Sequence, residues 1–88
     1  MSQLISHYFV TDFATWKAAF DADHESRRNA GLTVLQIWKD ADSTEHAFVL
    51  CEVNDRKRAE DWTRRTDALT VDDGGTVTRA SHFFINTA

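Results

Sequence analysis

The segment Ala47–Val53, which reads AFVLCEV, restricts the fold of this chain more than any other stretch of the sequence. A strand in a small soluble domain normally alternates apolar and polar residues, because one face meets the core and the other meets water. In this segment one face carries small and branched side chains, namely Ala47, Val49, Cys51 and Val53. The opposite face carries Phe48 and Leu50, with Glu52 as the polar exception. The pattern therefore predicts a strand that is covered on both faces.

The 88 residues of the chain provide limited material for covering such a strand. A chain of this length forms one domain and buries about 60–65% of its unfolded surface, which leaves a narrow margin of stability. Three glycines and no proline, with 42% apolar and 27% charged residues, indicate a folded chain with short connections. We therefore expect residues 1–88 to form a single domain.

The formal net charge of −4 disfavours partners that are themselves strongly negative. Nucleic acids and anionic membranes require clustered positive charge. The basic run Arg56–Arg58 is followed at once by Glu60 and Asp61, which is typical of a solvated helix face. The sequence shows neither the order of a signal peptide nor an apolar run of membrane length, and Cys51 has no second cysteine to pair with. We expect a cytoplasmic protein with no nucleic-acid partner and no membrane partner.

The first half of the chain predicts a strand followed by a helix. Leu4–Val10 is rich in β-branched and aromatic residues, and Thr11 or Asp12 can cap the helix that follows. One face of this helix carries residues that recur at helical spacing: Phe13, Trp16, Phe20, His24 and Arg27. Gly31 ends the helix, because glycine adopts the left-handed conformation at the lowest cost.

The second half of the chain predicts a hairpin, a helix and a final strand. Leu32–Trp38 and His46–Val53 read as strands joined by a polar loop. Asp55 can cap a second helix. The residues that keep the period of this helix are Ala59, Trp62, Thr66 and Leu69. A turn at Asp72–Gly75 then leads into a strand over Thr76–Asn86.

The element order β-α-β-β-α-β predicts an α+β fold of the ferredoxin-like class, in which a four-stranded antiparallel sheet carries both helices on one face. The helices leave the other face of the sheet uncovered. We predict that this face carries large apolar side chains from all four strands: Tyr8, Val10, Val34, Trp38, Phe48, Leu50, Phe83 and Ile85. Such a surface exceeds the ~300–600 Å² of the largest apolar patches on monomers, so a second copy of the sheet is the simplest cover.

The segment VTDFATWKAAFDAD, residues 10–23, carries a recognisable pattern of capping and aromatic residues. The pattern consists of Val10, Asp12, Phe13, Trp16, Lys17, Phe20 and Asp21, then Arg27 or Arg28, Gly31, Val53, Asp55 and Ala59. It resembles a group of small, mostly uncharacterised bacterial proteins that are described as cyclase-like and that are similar to the dimeric α/β-barrel superfamily. The resemblance covers most of the chain and weakens after Leu69.

This resemblance implies a homodimer whose two sheets pack face to face into a closed barrel, with the helices outside. The superfamily includes antibiotic-biosynthesis and haem-degrading monooxygenases, muconolactone isomerases, polyketide cyclases and stress-responsive proteins, so the shared fold does not define one activity. The haem-degrading members typically use an asparagine on the first strand, with a tryptophan and a histidine on later elements. Here the first strand offers Ser6, His7 and Tyr8 instead of asparagine, so we do not extend that activity to this chain.

The sequence predicts a binding site for a small apolar or aromatic molecule in a cavity lined by the sheet. Six residues are predicted to line it: Tyr8, Gln36, Trp38, Phe48, Phe83 and His82. The orientation of the first and last strands stays open, since the opposite choice would bring His7, His82 and Phe84 inward. Tyr8, His7 or His82 would transfer protons if the protein is a cofactor-independent monooxygenase, cyclase or isomerase. The alternative is a non-catalytic dimerisation module with a filled interface.

The four histidines are the natural candidates for metal binding, but none of them is spaced as part of a local ligand pair. His7 and His82 can be cross-strand neighbours, and no carboxylate or thiolate is evident that would complete a metal site beside them. The sequence has no Gly-x-Ser-x-Gly turn and no glycine-rich phosphate loop. We therefore predict no metal, no cofactor and no identifiable nucleophile.

Overall fold

A computed structural model describes residues 2–72 and 77–87, with the backbone alone for residues 66–72. Its elements are β1 (Ser2–Val10), α1 (Phe13–Ala22), α2 (His24–Asn29), β2 (Leu32–Lys39), β3 (His46–Val53), α3 (Arg56–Asp72) and β4 (Val77–Asn86). The strands form one sheet in the order β2-β3-β1-β4, and every neighbouring pair is antiparallel. This confirms the predicted ferredoxin-like fold. Most of the predicted turn before β4 lies outside the described residues.

Both connections from a strand to a helix use the same local device. The Oδ2 atom of Asp12 accepts a hydrogen bond from the backbone N–H of Thr15 at 3.2 Å, and Oδ1 of Asp55 accepts one from the N–H of Arg58 at 3.1 Å. Each aspartate thus satisfies a backbone donor that the first helical turn leaves without a partner. Among the described residues, none of the helices that begin in this way is long and apolar enough to cross a bilayer.

The first predicted helix is divided into two pieces at Asp23. The backbone N–H of Asp23 donates to the carbonyl of Phe20 at 3.2 Å, a three-residue step that tightens the last turn of α1. The short helix α2 then begins at His24. The prediction of one continuous helix was therefore wrong, although its end before Gly31 is confirmed.

Gly31 lies where the two crossover connections approach each other most closely. Its φ angle is +74°, and its carbonyl accepts a hydrogen bond from the backbone N–H of Asn54 at 2.8 Å. A Cβ atom at this position would lie 3.0 Å from both the Cβ and the backbone nitrogen of Asp55. Both the conformation and the available space therefore require glycine.

One face of the sheet, which we call the helix side, lies under the three helices. The strand residues that are buried there are Leu4, Ser6, Tyr8, Val10, Leu32, Ala47, Val49, Cys51 and Val53. Trp16 and Phe20 of α1 and Trp62 of α3 pack onto them and complete the core. The helix side therefore buries the face of β3 that the sequence assigned to helix packing.

The opposite face of the sheet, which we call the open face, is not covered by any of the elements that the structure describes. The strand register places the following residues on it: Gln3, Ile5, His7, Phe9, Thr33, Gln36, Trp38, His46, Phe48, Leu50, Glu52, Arg79, Ser81, Phe83 and Ile85. Trp38 is 44% exposed, Phe83 57% and Ile85 39%, which is unusual for large apolar side chains.

A β-bulge interrupts β2 at Leu35. The partner of Val34 on β3 is Cys51, whereas the partner of Gln36 is the adjacent Leu50, so β2 contains one extra residue. The insertion reverses the alternation of side chains along the strand. As a result Val34 packs against the core, and its predicted place on the open face was wrong.

Candidate functional site

The predicted site residues are divided between the two faces of the sheet. Gln36, Trp38, Phe48 and Phe83 lie on the open face. Tyr8 and His82 lie on the helix side, so these six residues do not line one cavity. Their roles in binding stay a prediction.

The predicted orientation of Tyr8 was wrong, because the register between β1 and β3 places Tyr8 on the helix side and not on the open face. Tyr8 lies beside Ala47, which is fully buried on the helix side, and Val10 is buried on the same face. The small alanine side chain leaves room for the tyrosine ring under the helices.

The alternative orientation is also only partly correct. His7 lies on the open face, whereas Phe84 packs against the core on the helix side together with His82. His82 is registered with Ser6 and His7 with Ser81, so the two histidines belong to opposite faces of the sheet.

A small space that is open to the surface, which we call the inner cavity, lies between the helix side and the helices and has a volume of about 120 Å³. It is lined by Tyr8, Trp16, Ala19, Phe20, Asp23, Arg27, Trp62 and Val77. The ring of Tyr8 lies 5.4 Å from that of Trp16 and 6.4 Å from that of Phe20, between centroids. The walls are therefore aromatic, and the polar groups of Tyr8 and Arg27 lie among them, as is typical of sites that orient a small ligand.

A hydrogen bond between Ser6 and His82 supports the wall of the inner cavity from behind. The Oγ atom of Ser6, which is almost fully buried, lies 2.7 Å from Nδ1 of His82. The imidazole ring makes edge contacts with the rings of Tyr8 at 5.7 Å and of Trp62 at 6.4 Å. The bond fixes the orientation of the imidazole and leaves the tautomer to be set by its surroundings.

Trp62 is itself held by the neighbouring helix. Its indole Nε1–H donates to Oγ of Ser26 at 3.2 Å, which joins α3 to α2. Because the indole donor is satisfied, the buried ring of Trp62 can form a rigid wall of the cavity.

Arg27 is the most unusual residue of the site, because its side chain is a buried cation. Only 5% of the residue is exposed, and its guanidinium carbon lies 3.6 Å above the centroid of the Phe20 ring. Burial lowers the pKa of Arg27, and the negative charge of Asp23 opposes that shift. Its Nε atom is buried and has no hydrogen-bond partner among the described residues.

A second and larger space, which we call the outer groove, adjoins the inner cavity. It has a volume of about 430 Å³ and is lined by Phe20, Asp21, His24, Arg27, Arg28, Leu32, Thr33, Val34 and Ile37. Phe20 and Arg27 line both spaces and therefore form their shared border. Asp21 forms an ion pair with Lys17 at 2.6 Å, so its charge is already balanced.

Cys51 is buried on the helix side and is not a nucleophile at neutral pH. Burial raises the pKa of the Cys51 thiol to about 11, and the nearby charge of Arg27 opposes this only in part. A thiol with this pKa is protonated at pH 7, whereas reactive cysteines are thiolates.

The open face carries a separate cluster of aromatic and imidazole rings. The ring of His7 stacks on that of Phe48 at 4.5 Å, and Nε2 of His7 lies 3.1 Å from Nδ1 of His46. Burial lowers the pKa of His7, as do the charges of His46 and Arg79, while Asp40 acts in the opposite direction. Across the described residues, no three His, Cys, Asp or Glu side chains are grouped closely enough to hold a metal ion.

Another space, larger than the inner cavity and the outer groove, lies away from both sets of residues. It has a volume of about 600 Å³ and is lined by Asn29, Ala30, Arg58, Asp61, Arg64 and Arg65. The side chains of Arg58 and Arg64 are mostly exposed and pair with Asp55 and Asp61. Exposed, already paired charges contribute little binding energy, so volume does not identify the site here.

Sequence reasoning missed Ser6 and Arg27 as members of the site. Ser6 is short and polar within an apolar strand, and nothing in its neighbourhood distinguishes it from a surface serine. Arg27, in contrast, falls on the same helical period as Trp16 and Phe20, which was a signal that it shares their buried face.

Comparison with protein-family models and with curated proteins finds no match. Solved structures do match. A candidate antibiotic biosynthesis monooxygenase from Nitrosomonas europaea is 20% identical, with a TM-score of 0.65 over 99% of this chain and 98% of that one. Another antibiotic biosynthesis monooxygenase is 15% identical, with a TM-score of 0.65 over 100% and 99% of the two chains. An Agrobacterium tumefaciens protein is 10% identical, with a TM-score of 0.68 over 100% and 94%.

These likenesses confirm the predicted resemblance at the level of the fold. The chain has the ferredoxin-like fold of the antibiotic biosynthesis monooxygenase-like proteins, with a four-stranded antiparallel sheet and its helices on one face. Identities of 10–20% carry no information about which residues act.

Proposed function

We propose that this chain, which shares its fold with antibiotic biosynthesis monooxygenase-like proteins, binds a small aromatic molecule in the inner cavity and forms a homodimer through the open face. The observation that carries the binding proposal is the composition of the inner cavity. Four aromatic residues and the buried side chain of Arg27 line a space of about 120 Å³. This space is somewhat smaller than the ~150 Å³ apolar cavity that binds benzene, so a single ring that also extends towards the opening is the largest aromatic group proposed for it.

The inner cavity is a better binding site than a space between two sheets. The side chains that can orient a ligand, Tyr8 and Arg27, line the helix side, and His82 supports it. On the open face Trp38, Phe48 and Phe83 supply apolar area, which suits contact with another protein surface.

Any turnover at this site needs a group that can move a proton. Tyr8, which lines the cavity, and His82, which lies behind it with ring centroids 5.7 Å apart, can meet this requirement. The proposal covers a cofactor-independent monooxygenase, cyclase or isomerase. Binding without turnover is equally compatible with the geometry.

A matched pair of alanine variants in α1 tests the binding proposal. Ala19 lines the inner cavity, whereas its neighbour Ala18 is exposed and does not. Ala19→Leu should fill the cavity mouth and abolish binding of single-ring aromatic fragments, as measured by saturation-transfer NMR. Ala18→Leu adds the same volume elsewhere and should leave binding unchanged. Equal loss in both variants, or no fragment binding to the wild-type chain, would contradict the proposal.

The dimer proposal rests on the apolar side chains of the open face. Trp38, Phe83 and Ile85 are each about half exposed, and Ile5, Phe9, Phe48 and Leu50 are half-buried beside them. Together they present on the order of several hundred Å², at or above the largest patches of monomers at ~300–600 Å². A second copy of the same face would cover it with a symmetric contact.

Sedimentation velocity at micromolar concentration tests this assembly. The wild-type chain should sediment as a dimer, and Phe83→Glu should sediment as a folded monomer, because a carboxylate within the apolar contact would be buried without a partner. Ala18→Glu places the same charge on exposed helix surface and should stay dimeric. A wild-type monomer would refute the assembly and leave the inner cavity unaffected.

A further inference from the structure

We infer that the ligand of the inner cavity is an aromatic anion, most simply a carboxylate, whose charge is recognised by Arg27. This inference deepens the proposed function and rests on the binding of an aromatic molecule in that cavity. It adds the charge of the ligand and the residue that selects for it.

The first step is that Arg27 forms no ion pair with any residue that the structure describes. Among the described residues, the ion pairs are Lys17 with Asp21, Arg56 with Glu60, Arg58 with Asp55 and Arg64 with Asp61. None of them includes Arg27. A guanidinium that is 95% buried without an ion pair is costly, because water no longer solvates the charge.

The second step is that the contacts present compensate this cost only in part. The Phe20 ring under the guanidinium provides a cation–π contact at 3.6 Å, and Asp23 contributes a longer-range attraction. Neither contact accepts a hydrogen bond from Nε, which stays without a partner. A water molecule could accept that bond but would not balance the charge.

The third step is the shape of the missing partner. The Nε–H and one terminal N–H of a guanidinium are parallel donors that match the two oxygens of a carboxylate. Because Arg27 lines both spaces, a carboxylate could reach it from the outer groove while an attached ring enters the inner cavity. There the ring would lie against Tyr8, Trp16 and Trp62.

The fourth step is that the approach through the outer groove favours an anion. Arg28 and His24 also line the groove, and its one carboxylate, Asp21, is already paired with Lys17. An anion therefore meets positive charge along its path, and a neutral ring gains nothing from it.

The experiment compares benzoate with benzamide, which has nearly the same shape and no charge. Titrations are followed by the indole N–H resonance of Trp62 and the Nε–H resonance of Arg27 in two-dimensional NMR. We expect benzoate to bind roughly tenfold more tightly or better, with a downfield shift of the Arg27 Nε–H resonance that benzamide does not cause. Acetate, which lacks the ring, should bind far more weakly than benzoate.

Variants of two arginines in different places provide the control. Arg27→Gln should bind benzoate and benzamide equally, because the charge and the paired donors are gone. Arg58→Gln, at an exposed position of α3 that lines neither the inner cavity nor the outer groove, should keep the preference for benzoate. If Arg27→Gln does not fold, the wild-type Arg27 resonance decides the matter without it.

The outcomes separate this inference from the proposal that it rests on. Equal affinity for benzoate and benzamide in the wild-type chain would overturn the anion and leave aromatic binding in place. Equal affinity for acetate and benzoate would overturn the aromatic part. Binding of neither benzoate nor benzamide would refute the proposed function and this inference together.

Discussion

The two faces of the sheet are both apolar, yet they differ in the size of their side chains and in the state of their polar groups. On β3 the helix side carries Ala47, Val49 and Cys51, whereas the open face carries Phe48 and Leu50. The small residues let the rings of α1 and α3 approach the sheet closely. The large residues project instead, and no described helix or strand packs over them.

The polar groups follow the same division. On the helix side Ser6 is hydrogen-bonded to His82, and the indole N–H of Trp62 donates a hydrogen bond to Ser26. On the open face His7 keeps a titratable imidazole whose pKa is lowered by burial. The comparison teaches that face identity in a doubly apolar sheet follows side-chain volume and the depth at which polar groups are buried, and four experiments can break or sharpen it.

The largest expected effect comes from truncating adjacent residues of β1 that point to opposite faces. Leu4 is fully buried on the helix side, and Ile5 is half-buried on the open face. Leu4→Ala should reduce the free energy of unfolding by ~2–5 kcal/mol because it leaves a cavity in the core. Ile5→Ala should cost clearly less in urea unfolding of the same chain. Equal losses would mean that the two faces are equally packed within one chain.

A smaller effect is expected from serines on the two faces. Ser6→Ala should cost about 1–2 kcal/mol in urea unfolding, because Nδ1 of His82 loses its bond within a half-buried site. Ser81→Ala, one residue from His82 on the open face, should change stability by no more than about 0.5 kcal/mol. The distinction between the faces fails if Ser81→Ala is the more damaging change.

The buried thiol of Cys51 on the helix side should make the stability of the folded protein decrease at alkaline pH. Its thiol pKa is raised by burial to about 11, whereas the thiol of the unfolded chain ionises near its ordinary value of 9.0. As the pH rises, the unfolded state therefore releases the thiol proton first. The stability that the buried thiol contributes is complete below about pH 9 and is lost as pH rises towards 11. Thermal unfolding between pH 8 and 10.5 should show a steeper decline for the wild-type chain than for Cys51→Ala. Parallel curves would show that the thiol is not buried as described.

The smallest expected effect is a decrease in stability at acid pH that is caused by His7 on the open face. The pKa of His7 is lowered by burial and by the charges of His46 and Arg79, against the opposing influence of Asp40. As the pH falls, His7 therefore takes up a proton in the unfolded chain before it does so in the folded chain. The free energy of unfolding is unaffected by His7 above about pH 6.5 and decreases as the pH drops below it. His7→Asn should reduce this slope in thermal unfolding between pH 5 and 7.5. An unchanged slope would assign the acid sensitivity to other groups.

The sequence was sufficient for the fold because each local signal agreed with the others. The Val-x-Asp caps, the helical period and the positive φ of Gly31 all appear where they were expected. The orientation of β3 also followed from side-chain size alone.

The orientation of β1 could not be read in the same way, since both of its faces are apolar. Tyr8 on one face and Phe9 on the other are similar in size, so the alternation does not show which face packs against the helices. The choice depends on which residue lies beside Ala47 across the ladder, and that register is a tertiary property.

The candidate site was recovered only in part for related reasons. Val34 was misplaced because a single inserted residue reverses the alternation of β2, and no glycine marks the bulge. The partner of His82 is 76 positions away along the chain, so local spacing could not find it. Arg27 was the exception, because its helical period with Phe20 already indicated burial.

The bulge at Leu35 has a consequence for how molecules of this protein can meet one another. β2 is an outer strand of the sheet, and its unpaired backbone donors and acceptors would otherwise offer a template to any extended chain. An inserted residue breaks the regular spacing of those groups and increases the local twist. Association of molecules by strand pairing along this edge is thereby discouraged.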